Sequence, residues 1–126
     1  QGPGSGSGGH CNQWYSDKYC YCSGEISNRG DSYWGSMEHC EIHAIDRGGT
    51  GIYGHSESHT IKWLPTVKIE YKITNFCGWT YEVTMGMCGT PFLDLIDWCQ
   101  WTWMTQKGGM YKLNDCVQYS FDVNAR

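Results

Sequence analysis

The 126-residue sequence lacks the motifs by which common enzymes and nucleic-acid-binding proteins are identified. It has neither a GxSxG nucleophile elbow nor a GxxxxGKS/T phosphate-binding loop. Its nine Lys and Arg residues are outnumbered by thirteen Asp and Glu residues, which gives a net charge of −4. Because a basic patch is missing, binding to nucleic-acid phosphates is not expected. No hydrophobic run approaches the ~18 apolar residues of a membrane span, and an Asn-x-Ser/Thr glycosylation site is also absent.

Cysteine, by contrast, is abundant: the chain contains eight. The number is even, and no CxxC pair of the kind that binds structural zinc occurs. Such a composition is typical of an oxidising compartment, so we expect a secreted, extracellular protein with four disulfides and no free thiol. The sequence leaves open which of about 105 pairings is used. The expected disulfide cysteines are Cys11, Cys20, Cys22, Cys40, Cys77, Cys88, Cys99 and Cys116.

The first nine residues, QGPGSGSGG, differ in composition from the rest of the chain. They contain no apolar residue besides Pro3, and QGP followed by a Gly/Ser spacer resembles the remnant of a protease-cleavage site. We therefore expect residues 1–9 to lie outside the fold and residues 10–126 to form one domain. The sequence shows no signal peptide, so a secreted form would be the mature chain. Seven Trp, nine Tyr and three Phe predict an aromatic-rich core.

Alternating polar and apolar residues predict most of the strands. Residues 67–74 and 79–85 alternate in this way and should form a hairpin across the turn 75–78, while residues 117–123 predict a strand near the C-terminus. Residues 19–26 predict a first strand. Residues 50–58 have the composition of a loop, and Pro65 argues against a central strand at 61–66. Two further segments predict helices: one begins at Thr90 or Pro91 and ends near Lys107, and the other runs from Asp31 or Ser32 to Arg47.

Residues 36–47 also alternate, so a strand there is the alternative to the helix. With the helix, the elements follow the order βαββαβ, which predicts a ferredoxin-like α+β fold. We expect a four-stranded antiparallel sheet with two helices on one face, stapled by disulfides between elements. Cys40 and Cys99 would face inward from the two helices, so that both could reach cysteines on the sheet.

Four histidines within 21 residues form two His-x3-His pairs, His39/His43 and His55/His59. Helical spacing of the first pair suits one metal ion. However, zinc hydrolases of the HExxH type need a glutamate directly after the first histidine, where this chain has Cys40. His39 and His43 would also point away from the inner face of the helix. We therefore expect surface histidines, with no metal site, no cofactor and no catalytic residues.

Two other features are candidates for partner binding. Arg29 to Ser32 spell RGDS, an integrin-recognition sequence, although Asp31 could simply cap a helix or form a turn. Trp101 lies opposite the inner face of the predicted second helix, with Leu93 and Met104 on the same outer flank. These three residues are a candidate partner surface, whereas the favoured alternative is that a loop or the N-terminal segment with Trp14 and Tyr15 covers them.

The eight cysteines, the length of about 117 residues after residues 1–9, and the order of elements resemble small secreted cysteine-rich fungal proteins. The chain looks most like the killer-toxin-like fold of many plant-pathogen effectors, or alternatively like the Leptosphaeria avirulence-suppressing effector family. Either resemblance implies a monomeric, non-enzymatic virulence effector or toxin-like protein that binds a host protein or is recognised by a host receptor. The alternative is a secreted hydrolase or ribonuclease-like protein that uses the region from His39 to His59. The acid, base and cation of such an enzyme would come from His43, Arg47, His55 and Glu57.

Overall fold

The computed structural model describes residues 11–46, 51–102 and 104–126. Within these ranges the chain is α+β, with two α-helices, and six of its strands form one sheet. The helices are α1, Arg29–Cys40, which continues into a π-helical segment, Glu41–Asp46, and α2, Met85–Trp98. The strands are β1, Trp14–Tyr15; β2, Lys18–Cys20; β3, Ser27–Asn28; β4, Ser56–Trp63; β5, Val67–Asn75; β6, Thr105–Gln106; β7, Gly108–Asn114; and β8, Val117–Ala125. The α+β class is confirmed.

The large sheet has the order β1-β2-β7-β8-β5-β4, and β3 pairs separately with β6. All of these pairs, within the described ranges, are antiparallel. The prediction of a four-stranded sheet is wrong, because six strands are present. The ferredoxin-like topology is not confirmed either, since β7 and β8 both follow the second helix where βαββαβ has one long strand. Of the strand predicted at 19–26, only Tyr19 and Cys20 lie in a strand, β2.

The strands β5 and β8 are paired in the interior of the sheet, with Tyr71 directly opposite Phe121. Along both strands, buried residues alternate with partly exposed ones. This pattern is that of a sheet with one face in the core and one toward water. The strands predicted at 67–74 and 117–123 are therefore confirmed.

The first predicted helix is confirmed, and the alternative strand at 36–47 is wrong as far as residue 46. The Asn28 side chain caps α1 by accepting a hydrogen bond from the Asp31 amide at 2.7 Å. Position 35 lies inside the helix and must be glycine, because a Cβ there would overlap the Tyr71 ring. Close packing of the helix on the sheet therefore accounts for the glycine, which by itself disfavours a helix.

The second helix begins one and a half turns before its predicted start. Thr84 is the N-cap, and Pro91 is inside the helix instead of in its first turn. A proline at this position cannot donate to the carbonyl four residues earlier, that of Met87. The Tyr119 hydroxyl donates to this carbonyl at 2.5 Å. A side chain from β8 thus replaces the missing amide. The strand predicted at 79–85 is wrong, because no strand lies between Asn75 and the start of α2 at Met85.

Among the described residues, the β-pairing of residues 79–84 is limited to an isolated bridge between Ile52 and Tyr81. The partner of β5 in the hairpin is β4, so the loop predicted at 50–58 is wrong from residue 56 onward. Pro65 lies in the turn between the two strands. The inward positions of β4 include the polar residues Ser58 and Thr60. The strand therefore lacks the alternation of apolar and polar residues by which strands are predicted.

The second helix ends at Trp98, well before the predicted end at Lys107. The glycines predicted to stop it, Gly108 and Gly109, are instead the first residues of β7. A Cβ on Gly109 would lie 2.5 Å from the Tyr19 carbonyl oxygen. Glycine is therefore required there by close approach of two strands.

The prediction of four disulfides and no free thiol is confirmed among the described residues, which include all eight cysteines. Cys40 links α1 to Cys88 on α2, so the expectation that it reaches the sheet is wrong. Cys99 does reach the sheet, at Cys20 on β2. One bridge is local and closes the β1–β2 hairpin. The pairs are Cys11–Cys22, Cys20–Cys99, Cys40–Cys88 and Cys77–Cys116.

Candidate functional site

The three residues predicted as a partner surface lie in two separate parts of the fold. Leu93 is on α2 and lines a groove between the helices. Trp101 and Met104 follow the end of α2, so the helical spacing that placed them beside Leu93 does not apply. Trp101 is partly buried, with the Lys107 ammonium 3.8 Å from its ring centroid, whereas Met104 is exposed. The predicted cover, Trp14–Tyr15, forms the edge strand β1.

The groove lies between two antiparallel helices. Arg29, at the start of α1, pairs with Asp97 near the end of α2 at 2.6 Å, and Cys40 bonds to Cys88 at the opposite end. The groove has a volume of about 270 Å³ and is open to solvent on one side. Its lining is mostly apolar or small and consists of Tyr33, Met37, Met85, Gly86, Gly89, Thr90 and Leu93.

A second candidate surface, the aromatic loop, is formed by residues 75–81 together with the neighbouring segment 51–54. Three large aromatic side chains project from it into solvent: Trp79 is 69% exposed, Tyr53 is 67% exposed and Phe76 is 55% exposed. Sequence reasoning missed this surface, because it assigned Phe76 to a turn and Trp79 to a strand. Single exposed apolar side chains are common on protein surfaces, whereas several on adjacent segments are typical of a partner-binding surface.

The aromatic loop is held rigidly by its own contacts. The buried Asn75 side chain donates to the carbonyls of Ile52 and Trp79 at 2.9 and 2.8 Å and accepts from the Cys77 amide at 2.8 Å. The Phe76 amide donates to the Cys116 carbonyl at 2.6 Å, next to the disulfide between Cys77 and Cys116. The exposed aromatic side chains therefore stand on a fixed backbone.

The segment that carries Tyr53 is packed against this loop. Ile52 and Tyr81 exchange two backbone hydrogen bonds, at 2.8 and 2.9 Å. A Cβ on Gly54 would lie 2.7 Å from the Cys77 carbonyl oxygen, so the two segments approach as closely as glycine allows. The two segments that carry the three aromatics are therefore adjacent at one end of the sheet.

The four histidines are divided between the interior and the surface. The prediction that His39 and His43 point outward is wrong, because both are buried, with ring centroids 4.5 Å apart. His39 Nδ1 lies 2.6 Å from the Thr60 hydroxyl and Nε2 lies 2.9 Å from the Ser58 hydroxyl. Burial, together with the charges of His43 and His59, lowers the pKa of His39 to about 3. A histidine in this setting is neutral and structural.

A cleft of about 230 Å³ brings together part of the acid–base set considered for an enzyme. His43, Glu57 and His59 are among the residues that line it, whereas His55 is not. Arg47 lies outside the described residues. His43 enters from the helical side of β4, while Glu57 and His59 are exposed on its other face, where the His59 ring is 3.6 Å from Glu70. The three groups therefore lie on opposite faces of the edge strand β4 and do not converge on one position that a substrate atom could occupy.

Within the described part of the chain, no group of three or more His, Cys, Asp or Glu side chains is arranged to hold a metal ion. The RGDS sequence is also not displayed as a loop. Its first three residues form the first turn of α1, where Arg29 makes two hydrogen bonds to the Asp97 carboxylate at 2.6 and 3.2 Å.

The sequence matches no protein-family model, and no curated protein is significantly similar to it. Neither helix in the described ranges is both long enough and apolar enough to cross a membrane. The geometry of the aromatic loop, the groove and the histidine cleft is therefore the basis for a functional proposal.

Proposed function

We propose that this chain is a secreted, non-enzymatic protein that acts by binding a protein of a host organism, in the manner of a virulence effector or toxin-like protein. Four disulfides suit an extracellular chain. The single observation that carries the proposal is the aromatic loop, which presents Phe76, Trp79 and Tyr53 from a rigid backbone. The resemblance to fungal effectors supports the same proposal.

The energetics of the aromatic loop favour a protein partner. Burying one large apolar side chain is worth about 1.5–3 kcal/mol, so this chain forgoes that stabilisation at three neighbouring positions. Trp and Tyr are also the residues that most often dominate protein–protein binding energy. Because the disulfide and the Asn75 hydrogen bonds already fix the loop, a partner would not have to immobilise it, and this lowers the entropic cost of binding.

A secreted hydrolase or ribonuclease-like protein is the second candidate function. The observation that favours it is the cleft that contains His43, Glu57 and His59, since two imidazoles and a carboxylate could serve as acid and base. The reacting groups of such an enzyme must lie within hydrogen-bond reach of one substrate atom. The separation of these groups across the two faces of β4 makes binding the better supported function.

The test compares two variants as bait in the extracellular fluid of a plant host. Phe76→Ala/Trp79→Ala removes two exposed rings of the aromatic loop. Trp63→Ala is the matched control, because Trp63 is also exposed (54%) but lies at the far end of β4, about 23 Å away along the strand. Because all three rings are exposed, we expect every variant to keep its stability within about 0.5 kcal/mol.

We expect a host protein to be enriched by the wild type and by the control, but not by the double variant. Calorimetry with that protein, once purified, should show at least a tenfold loss of affinity, about 1.4 kcal/mol, for the double variant. Equal capture by all three baits would contradict the proposal. The enzyme would be supported if wild-type protein cleaved RNA, peptide or glycan substrates and His43→Ala and Glu57→Gln abolished the cleavage.

A further inference from the structure

The two helices carry a strongly one-sided charge. Residues 29–46 and 85–98, here called the helical layer, contain six carboxylates and one Arg or Lys, a net charge of −5. The whole chain has a net charge of −4, so the remainder is slightly positive. The six carboxylates are Asp31, Glu38, Glu41, Asp46, Asp94 and Asp97.

Some of this negative charge is already compensated within the chain. Arg29 pairs with Asp97, and Lys62 of β4 pairs with Glu38. Glu41 and Asp94 are both exposed, and neither takes part in an ion pair with any described residue. Asp94 lies one position after the groove residue Leu93, and Glu41 lies one turn after the groove residue Met37. Each helix thus carries, close in sequence to its groove residues, an exposed carboxylate that no described residue pairs with.

The α2 wall of the groove contains two glycines, exposed Gly86 and partly buried Gly89, that packing against the described residues does not require. A Cβ added to Gly86 would meet nothing within 4 Å, and one added to Gly89 would meet only the Met37 sulfur, at 3.5 Å. Alanine is the better helix former, so glycine at both positions weakens α2. Gly35 differs, since its Cβ would overlap Tyr71. Because Gly86 and Gly89 have no side chains, the α2 wall of the groove stays open to a group from outside.

We propose that this groove is a docking site for a cationic amphipathic helix of a partner protein. Apolar side chains of the partner would enter between Met37 and Leu93, and its Lys or Arg side chains would reach Asp94 and Glu41. A second copy of the chain is disfavoured, because two rims of the same negative charge would face each other. Residues 1–10 also do not fit, since their only apolar residue is Pro3. This docking site is independent of the aromatic loop.

The test is a titration of the ¹⁵N-labelled full chain with a synthetic Leu/Lys amphipathic peptide of about four helical turns. A Leu/Glu peptide of the same pattern is the control ligand. Three variants are compared with the wild type: Gly86→Ala/Gly89→Ala, Glu41→Gln/Asp94→Asn and Phe76→Ala/Trp79→Ala. Denaturation midpoints are measured in parallel, so that loss of binding is separated from loss of folding.

We expect the Leu/Lys peptide to shift the amide signals of α1 and α2, while the Leu/Glu peptide does not. The glycine variant should be more stable and yet bind at least about fivefold more weakly. The charge variant should also bind more weakly and with a smaller salt dependence, whereas the aromatic-loop variant should bind as the wild type does. Any of three results would overturn the proposal: unchanged affinity in the glycine variant, equal binding of both peptides, or loss of binding in the aromatic-loop variant.

Discussion

His39 provides a quantitative test of how the helices and the sheet are joined. Its side chain is completely buried, and both ring nitrogens are hydrogen-bonded to hydroxyls of β4, Ser58 and Thr60. The hydroxyls can donate or accept, so the neutral ring is satisfied as one donor and one acceptor. The charges of His43 and His59 both oppose its protonation. A proton on His39 would therefore be a buried cation among groups of the same sign.

The direction of the pH effect follows from the lowered pKa. The native pKa of about 3 is below the ordinary value of 6.5, so between these values the unfolded chain binds a proton that the native protein does not. Stability is therefore complete above pH 6.5 and is lost as the pH falls toward 3. Each pH unit in this window is worth about 1.4 kcal/mol, so His39 alone should cost about 3 kcal/mol by pH 4.

The assay is urea denaturation at pH 7 and at pH 4 of the wild type, His39→Gln and His55→Asn. Glutamine can still hydrogen-bond to Ser58 and Thr60 but does not titrate. His55 is an exposed turn residue with a φ of 59°, a conformation that asparagine tolerates. We expect the wild type and His55→Asn to lose about 3 kcal/mol more than His39→Gln between the two pH values. Parallel losses in all three proteins would refute the argument, because carboxylate titration is common to them all.

Three further changes test the packing. Gly86→Ala should raise the free energy of unfolding by about 0.5–1 kcal/mol in a urea titration, because the new methyl group meets open space; a loss would contradict this. Tyr119→Phe should cost about 1–3 kcal/mol in the wild type and clearly less in Pro91→Ala, where an amide can replace the hydroxyl; a double-mutant cycle without coupling would disprove the replacement. Removing the disulfide with Cys40→Ala/Cys88→Ala, which opens a loop of 48 residues, should cost about 4 kcal/mol by calorimetry, and a cost near zero would contradict its structural role.

The parts of the fold that could be predicted are those in which local pattern and burial agree. The strands β5 and β8 alternate cleanly because one face lies in the core and the other faces water. The helix α1 has a recognisable start, although its cap is Asn28 and not Asp31 or Ser32. The participation of every cysteine in a disulfide followed from their even number, whereas their pairing did not.

The parts that could not be predicted depend on contacts distant in sequence. The inward face of β4 is polar because Ser58 and Thr60 hydrogen-bond to a histidine on α1, so no apolar alternation marks the strand. The proline inside α2 is tolerated because Tyr119, 28 positions away from it, supplies a hydroxyl. Short-range rules assign Pro91 to a helix start, and nothing near it in the sequence indicates otherwise.

The candidate surfaces, like the fold, could be predicted only in part from the sequence. Leu93 was recognised as an outer residue of α2, and the groove beside it was not, because its other wall belongs to α1. The aromatic loop carried one usable signal: Phe76 and Trp79 flank a Cys-Gly pair directly after Asn75, a residue suited to a turn. Large aromatics in a turn held by a disulfide are candidates for exposure, which alternation alone would not show.

The central claim is that the chain binds a host protein through the aromatic loop. Hydrogen–deuterium exchange of the full chain, alone and saturated with the host protein captured by the wild type, tests it most directly. We predict that the partner slows exchange in residues 51–54 and 75–81 and leaves the end of β4 near Trp63 unchanged. Protection confined to other parts of the chain, with residues 51–54 and 75–81 exchanging as in the free protein, would contradict the claim.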